Sequence, residues 1–361
     1  MRWLTGSRWI AAAALTLLPI LGLSQHGGMG GGGGMPAGGA TSWPAGGPGM
    51  PAGMGAGMQR DGDMTGGGRE RRMHAEALQR RNRDLLAFDP RGNLIVRDEI
   101  VGIGATATGL AAAQTAGFVI RRRKALGRLE AEIVVLTVPQ KMSARKALKT
   151  IKAIDPGAAY DFNHVYLEGG AEGEAKPAHS IDPISHPAGT DRSPGRRVGL
   201  IDGGVESKHA ALRSVALHMH GCNGATVPST HGTAVASRLV AGFGEVAPPN
   251  AEVSLYVADV YCGAPTGGST DAVIQGLAWL MQEDVPVINV SLVGPPNQPL
   301  RRVVEWASLR GHLIVAAVGN DGPSAPPLYP AAYPGVVAVT GVDGTGKALI
   351  EAGRGRFVAF S

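Results

Sequence analysis

Cysteine is almost absent from this 361-residue chain: it has two, which excludes a disulfide scaffold and a four-cysteine zinc site and leaves room for at most one bridge. A charge excess is missing as well. Lysine and arginine number 34 against 29 aspartate and glutamate, and a surplus of +5 on this length does not imply nucleic acid, which requires basic residues clustered on one face. The N-terminal apolar run, Trp9 to Leu23, is interrupted by Thr16, Pro19 and Gly22 and falls short of the roughly 20 residues of a membrane-spanning helix. No Gly-X-Y period accompanies the 55 glycines and 25 prolines, so collagen is excluded. What is present is 44% hydrophobic residues, enough to bury a core, on a length suited to about two domains.

Arg2 and Arg8 precede the apolar run, and Gly22-Leu23-Ser24 offers small residues where a signal peptidase cuts. Residues 1–24 therefore read as a signal peptide, and the product as secreted or periplasmic. Residues 27–68 hold 19 of the 55 glycines and 6 of the 11 methionines, with a repeated unit at Met35-Pro36-Ala37-Gly38, Trp43-Pro44-Ala45-Gly46 and Met50-Pro51-Ala52-Gly53. Glycine cannot recover the entropy of ordering and proline blocks a strand ladder, so residues 25–91 read as a disordered spacer ending in a basic stretch. That stretch, Arg69 to Arg83, carries six arginines and reads as a solvated helix face.

Residues 92–168 read as a first folded unit. Asn93–Gly102 alternates as a strand, Thr106–Ala116 is a helix, Phe118–Ala125 and Leu129–Val138 are strands, Ser143–Ile154 is an amphipathic helix and Tyr160–Leu167 closes as a strand. The order βαββαβ predicts a ferredoxin-like α+β sandwich, four antiparallel strands with two helices on one face. Within it, Gly102-Ile103-Gly104-Ala105-Thr106-Ala107 imitates a dinucleotide fingerprint followed by Arg121, Arg122 and Arg123. The next strand follows at hairpin distance without a crossover helix, so the pattern reads as a tight turn.

A linker rich in Gly, Pro and charge, residues 169–195, leads to a second unit over 196–361. Short β-branched runs at Val198–Ile201, Val253–Val260, Val287–Leu292, Leu313–Ala317 and Val336–Thr340 alternate with helices at His231–Val240, Thr270–Gln282 and Leu300–Arg310. This is the pattern of an α/β domain with a buried parallel sheet, whose ligands bind at the carboxyl ends of strands. Asp202 ends the first strand before Gly203-Gly204; His231 opens a helix 29 residues later, where the dipole favours a neutral imidazole able to accept a proton; Asn320 ends the fourth strand, with an amide able to donate to an oxyanion. Each alone also fits a turn or cap. Gly341-Val342-Asp343-Gly344-Thr345-Gly346-Lys347-Ala348 is one residue short of a P-loop, with Ala348 in place of the Mg²⁺-binding hydroxyl, and reads as a turn between strands.

Together these segments resemble the subtilisin-like serine peptidases (subtilases). Asp202 with its glycines is similar to the aspartate motif, His231-Gly232-Thr233 to the histidine motif and Val318-Gly319-Asn320-Asp321-Gly322 to the oxyanion motif, in the family's order. Ser291-Leu292-Val293-Gly294 resembles the substrate-binding strand, and Tyr329-Pro330-Ala331-Ala332-Tyr333-Pro334 the turn that follows the asparagine. The resemblance implies a three-layer α/β/α peptidase domain preceded by an inhibitory, fold-assisting prodomain over 92–168, severed within 169–195. It implies a serine endopeptidase in which His231 is base and acid, Asp202 orients it and Asn320 stabilises the oxyanion, with peptide extended between Gly267-Gly268 and Ser291–Gly294. The expected partners are a polypeptide substrate and the chain's own prodomain, in a monomer, with no nucleic acid or nucleotide; no cofactor and no metal-ligating residue is predicted, and structural calcium is left open.

Three features depart from the family pattern. Ala234 stands where many members have a second histidine, and Val293 where glycine is usual, which narrows the cleft. Only 41 residues follow Asn320, and no Gly-Thr-Ser motif occurs among them, so this stretch of sequence is expected to be inactive as it stands, its peptidase domain incomplete. The alternative is a peptide-binding scaffold or an inactive fragment. Export and the convergence of their loops on one site predict a Cys222–Cys262 bridge, two free thiols being the other possibility.

Overall fold

The computed structural model describes residues 66–169, 196–225, 227–246, 253–343 and 346–360; the signal peptide, the spacer up to residue 65 and linker residues 170–195 lie outside them. The chain enters through α1 (Gly66–Arg81) and β1 (Leu86–Phe88), then β2 (Leu94–Ile103), α2 (Ala107–Thr115), β3 (Val119–Ala125), β4 (Glu132–Thr137), α3 (Ala144–Ile154), β5 (Ala159–His164) and β6 (Leu167–Glu168). The expected βαββαβ order is present over β2 to β5, but the antiparallel sheet has five strands: β1 pairs with the first residues of β2, ahead of the expected start at 92. Leu86 drives this. It is completely buried against Leu94, Val96, Val165 and Leu167, so the segment cannot stay in a solvated spacer.

The closing strand is also divided. β5 ends at His164, and β6 leaves that sheet to pair with a strand of the second half, because Tyr166 buries its ring there completely. The dinucleotide-like turn is filled from within: Gly104 takes φ +74°, Thr106 caps α2 on Gly109 N, and the Asp155 carboxylate accepts from Thr106 N at 3.0 Å. A carboxylate thus sits where a pyrophosphate would.

The second half runs β7 (Arg196–Asp202), β8 (Ala216–His220), α4 (Thr230–Val246), β9 (Val253–Asp259), α5 (Thr270–Gln282), β10 (Val287–Val290), β11 (Leu292–Val293), α6 (Gln298–Leu309), β12 (Leu313–Ala317), β13 (Val336–Val339) and β14 (Val358–Phe360). Seven strands form a wholly parallel sheet in the order β14-β13-β12-β10-β7-β9-β8. Period-two alternation serves both faces. Val198, Leu200, Leu255 and Val257 pack towards α4, whereas Ile201, Ala258, Ile288 and Val290 pack with α5 and α6. The run expected as one strand to Leu292 stops at Val290, and Leu292–Val293 turns out of the sheet to meet β6. At the P-loop-like stretch an antiparallel bridge joins Val342 to Ala348, which makes it a turn.

The two halves share a core. Val101, Ile103 and Ile133, on the sheet face opposite α2 and α3, with Leu126 and Leu129 of the β3–β4 connection, belong to the apolar cluster that includes α5 and α6. At the edge of this contact Arg122 donates to Glu99 at 2.9 and 3.1 Å and to Asp271 at 3.0 Å, while Asn163 Nδ2 donates to both carboxylates at 2.7 and 2.9 Å. Glu99 and Asp271 are buried. Replacing Arg122 with alanine removes the arginine partner of Asp271 and one of the two at Glu99, where Arg121 stays at 3.3 Å, and with the guanidinium half-exposed the loss should be about 1–3 kcal/mol. Urea unfolding should show the midpoint fall; an unchanged midpoint would contradict this account of the contact.

Candidate active site

Asp202 and His231 are brought together from the end of β7 and the first turn of α4. Asp202 is completely buried; its Oδ1 lies 2.9 Å from His231 Nδ1 and accepts from Gly203 N at 2.6 Å. Close backbone contact sets the geometry. A Cβ on Gly232 would fall 2.4 Å from Gly203 O, so the helix can begin against the β7 turn only with glycine next to the histidine. Ser229 Oγ accepts from Gly232 N at 2.9 Å and caps the helix, and Thr233 Oγ1 accepts from Glu206 N at 3.0 Å, tying the helix to the loop after β7.

The helix dipole is one of several influences on the imidazole. Burial alone would lower His231, but the hydrogen bond to Asp202 and the charges of Asp202 and Glu168 outweigh it, and the imidazole is raised above its ordinary value. One ligand-type atom from each of Glu168, Asp202 and His231 lies within 4.8 Å of the others. Such spacing also suits a metal, yet His231 Nδ1 is already engaged by Asp202. The other described cluster of this kind, Cys222, Asp259 and Cys262, has both sulfurs joined in a disulfide with Cα atoms 5.2 Å apart. That bridge ties the turn ahead of α4 to the loop after β9, closing a separation of 40 residues and adding about 3–4 kcal/mol through the unfolded chain. Asp259 Oδ1 holds the second loop by accepting from Tyr261 N and Cys262 N at 3.0 and 2.8 Å.

Asn320 lies half-buried past the end of β12, after Gly319 at φ +83°. Beside it, the Asp321 carboxylate is buried and takes the Arg71 guanidinium of α1. Sequence reasoning missed this pair, having assigned the 69–83 face to solvent.

Gly267, Gly268 and Ser291 to Gly294 form two facing edges, and between them runs the chain's own segment 165–169. Val165 bridges Ser269, Tyr166 N donates to Gly268 O at 2.8 Å, Leu167 and Glu168 pair antiparallel with Val293 and Leu292, and Gly169 N donates to Ser291 O at 3.0 Å. Tyr261 OH donates to Tyr166 O at 3.1 Å, and Tyr166 OH to Pro295 O at 2.9 Å. Glycine is required on both sides: a Cβ on Gly268 would lie 2.3 Å from Tyr166 O, and one on Gly294 2.5 Å from the Tyr166 ring. Val293 is buried, with Cγ1 3.5 Å from where a Cβ on Gly319 would stand, so it fills space towards the asparagine turn. Tyr166 and Glu168 were not singled out from sequence, although they occupy the last positions of the folded unit before a glycine-rich linker.

Two outcomes follow from this geometry. Gly268→Val should expel segment 165–169 from the cleft, read as loss of amide protection at Tyr166 and Gly169; retained protection would mean the glycine is not what admits the strand. Glu168→Gln should lower the His231 pKa, read by NMR titration of the imidazole. Because His231 is raised in the folded chain, the attraction to Glu168 is fully present below the unfolded histidine pKa and is lost as pH rises through the folded value. A titration unmoved by Glu168→Gln would remove that carboxylate from the site's electrostatics.

Residues 193–352 match the model of the subtilase family, Peptidase_S8. Subtilisin DY of Bacillus licheniformis is 37% identical over 158 residues, 41% of this chain and 56% of that protein; subtilisin E of Bacillus subtilis (strain 168) is 28% identical over 261 residues, 69% of this chain and 66% of that one. The chain thus spans a little over half the length of the first of these and about two thirds of the second. Fervidolysin from Fervidobacterium pennivorans, a keratinolytic enzyme related to subtilisin, shares the fold with a TM-score of 0.50 at 17% identity, over 73% of this chain and 46% of that one. With its parallel sheet and its aspartate, histidine and asparagine motifs in family order, the stretch 193–352 is a subtilisin-like domain of the subtilase family.

Proposed function

We propose that this chain belongs to an exported serine endopeptidase and carries its prodomain together with the Asp-His half of its catalytic machinery. The observation that carries the reading is the segment 165–169, seated as a strand between Gly268 and Ser291–Val293 with Glu168 beside the Asp202–His231 pair. A substrate peptide would take the same seat, adding one strand by main-chain hydrogen bonds. Gly169 N on Ser291 O is the last ladder bond among the described residues, and the reading takes the bond after Gly169 as the one cleaved.

In this mechanism a serine hydroxyl attacks the peptide carbonyl while its proton passes to His231 Nε2, whose Nδ1 is held by Asp202. Asn320 and a backbone N–H stabilise the oxyanion. The imidazolium then protonates the departing amine, leaving an acyl-enzyme that water hydrolyses by the reverse proton path. The serine is the one member of this scheme that residues 1–361 do not identify. Residues 66–169 act as the prodomain, leaving the Gly169–Gly170 bond as the maturation site, and the N-terminal 24 residues direct export. Among the described residues no helix is long and apolar enough to cross a membrane.

The test is to express the frame continued past codon 361. Secreted protein should begin at Gly170 and hydrolyse peptides, and His231→Ala should abolish maturation and reduce kcat by about 10⁶-fold, the size of the effect in subtilisin itself. An N-terminus before Leu167 would refute the maturation site. Peptide binding without hydrolysis would replace the enzyme by a peptide-binding scaffold.

A further inference from the structure

Helix α1 is a poor helix by composition. It opens on Gly66-Gly67-Gly68, contains five arginines and is 16 residues long, close to the limit at which even favourable sequences are stable alone in water. Its order therefore comes from what it docks against. Gly68, Arg71, Ala75 and Leu78 recur at spacings of three, four and three, which places them on one face. Ala75 and Leu78 pack on Leu86, Leu94, Val96, Val165 and Leu167, the last of these lying in the cleft strand. At the other end of the same face Arg71 Nε donates to the two Asp321 oxygens at 2.9 and 2.8 Å, and its Nη2 joins the second. A Cβ on Gly68 would lie only 3.4 Å from Asp321 O, so helix and turn are in close approach. Two other arginines pair within the helix: Arg72 and Arg80 both meet Glu76, exposed and one turn away, where such pairs add little.

We infer that α1 is an autoinhibitory clasp, whose single docked face joins the cleft strand at Leu167 to the turn carrying Asn320, with Arg71–Asp321 as its latch. The inference rests on reading 165–169 as the segment that occupies the peptide site. The main body of the N-terminal unit grips α5 and α6 on one side of the cleft, while the clasp reaches the end of β12. Asp321 is only 5% exposed, so withdrawing the guanidinium removes a forked, charge-assisted partner from a desolvated carboxylate. Cutting the chain after Gly169 leaves this attachment intact. Release of the cleft strand therefore requires the undocking of α1 in addition to parting of the α5–α6 seam, and a cut molecule stays inhibited while the clasp holds.

Hydrogen exchange on the 361-residue chain tests this without turnover, so its result is separate from whether an extended chain hydrolyses peptides. Arg71→Ala should speed exchange at Tyr166 and Gly169 at least tenfold while amides of α5 and β12 keep their rates. Unchanged exchange at Tyr166 and Gly169 would overturn the clasp. Should Arg71→Ala also loosen α5, Asp321→Asn removes the charge from the other side of the pair with its shape preserved, and the same comparison applies: faster exchange confined to 166–169 supports the clasp, and wild-type rates there overturn it.

Discussion

A backbone segment buried in a cleft must find partners for every N–H and C=O it brings, and that requirement organises this molecule around residues 165–169. Tyr166 N goes to Gly268 O, its carbonyl receives Tyr261 OH, Leu167 and Glu168 enter the ladder with β11, and Gly169 N reaches Ser291 O. Each partner fixes something else. Gly268 must hold φ +69° with no Cβ, Tyr261 must follow a loop pinned by Asp259 and the disulfide, and β11 must leave the parallel sheet after Val290 to present its edge. The N-terminal sheet, in turn, loses its last strand at His164 so that β6 can cross over.

The same crossing explains the polar contacts at the seam. Asp161 and Asn163 on β5 accept from Gln298 N and Asp271 N, meeting the first turns of α6 and α5, and Asn297 Nδ2 returns a bond to Phe162 O. Helix N-termini carry unpaired donors and a positive dipole end, so an acceptor strand laid across two of them is held by interactions available nowhere else on those helices. Apolar burial between Val101, Ile103, Ile133 and the α5–α6 layer supplies the area, and these bonds supply the register.

Much of this was legible in sequence where one residue type admits one geometry. Asp202 before paired glycines, His231 before Gly232, and the α5 and β12 ranges all rest on strong local constraints: strand ends, a close backbone approach and clear apolar periods. Less legible were the elements whose order is tertiary. β1 is three residues, β8 interleaves histidines with leucine and methionine, and α1 hides a docked face of Gly68, Arg71, Ala75 and Leu78 among arginines that do face water. No composition rule separates Arg71 from Arg72. Their difference is that one reaches a buried carboxylate 250 residues away and the other a glutamate one turn on.

The sign of the His231 shift shows the same dependence on partners remote in sequence. A helix N-terminus disfavours imidazolium, and so does burial; with only local structure the histidine reads as neutral. Asp202, 29 residues earlier, and Glu168, from the other unit, act in the opposite direction and outweigh burial, leaving the imidazole above its ordinary value. Glu168 reaches the imidazole only while the cleft strand is seated, so its share of the shift belongs to the occupied cleft. When the strand leaves, one of the two carboxylate fields leaves with it, while returning solvent relieves the burial that disfavours imidazolium, so the strand acts on His231 through two opposed contributions.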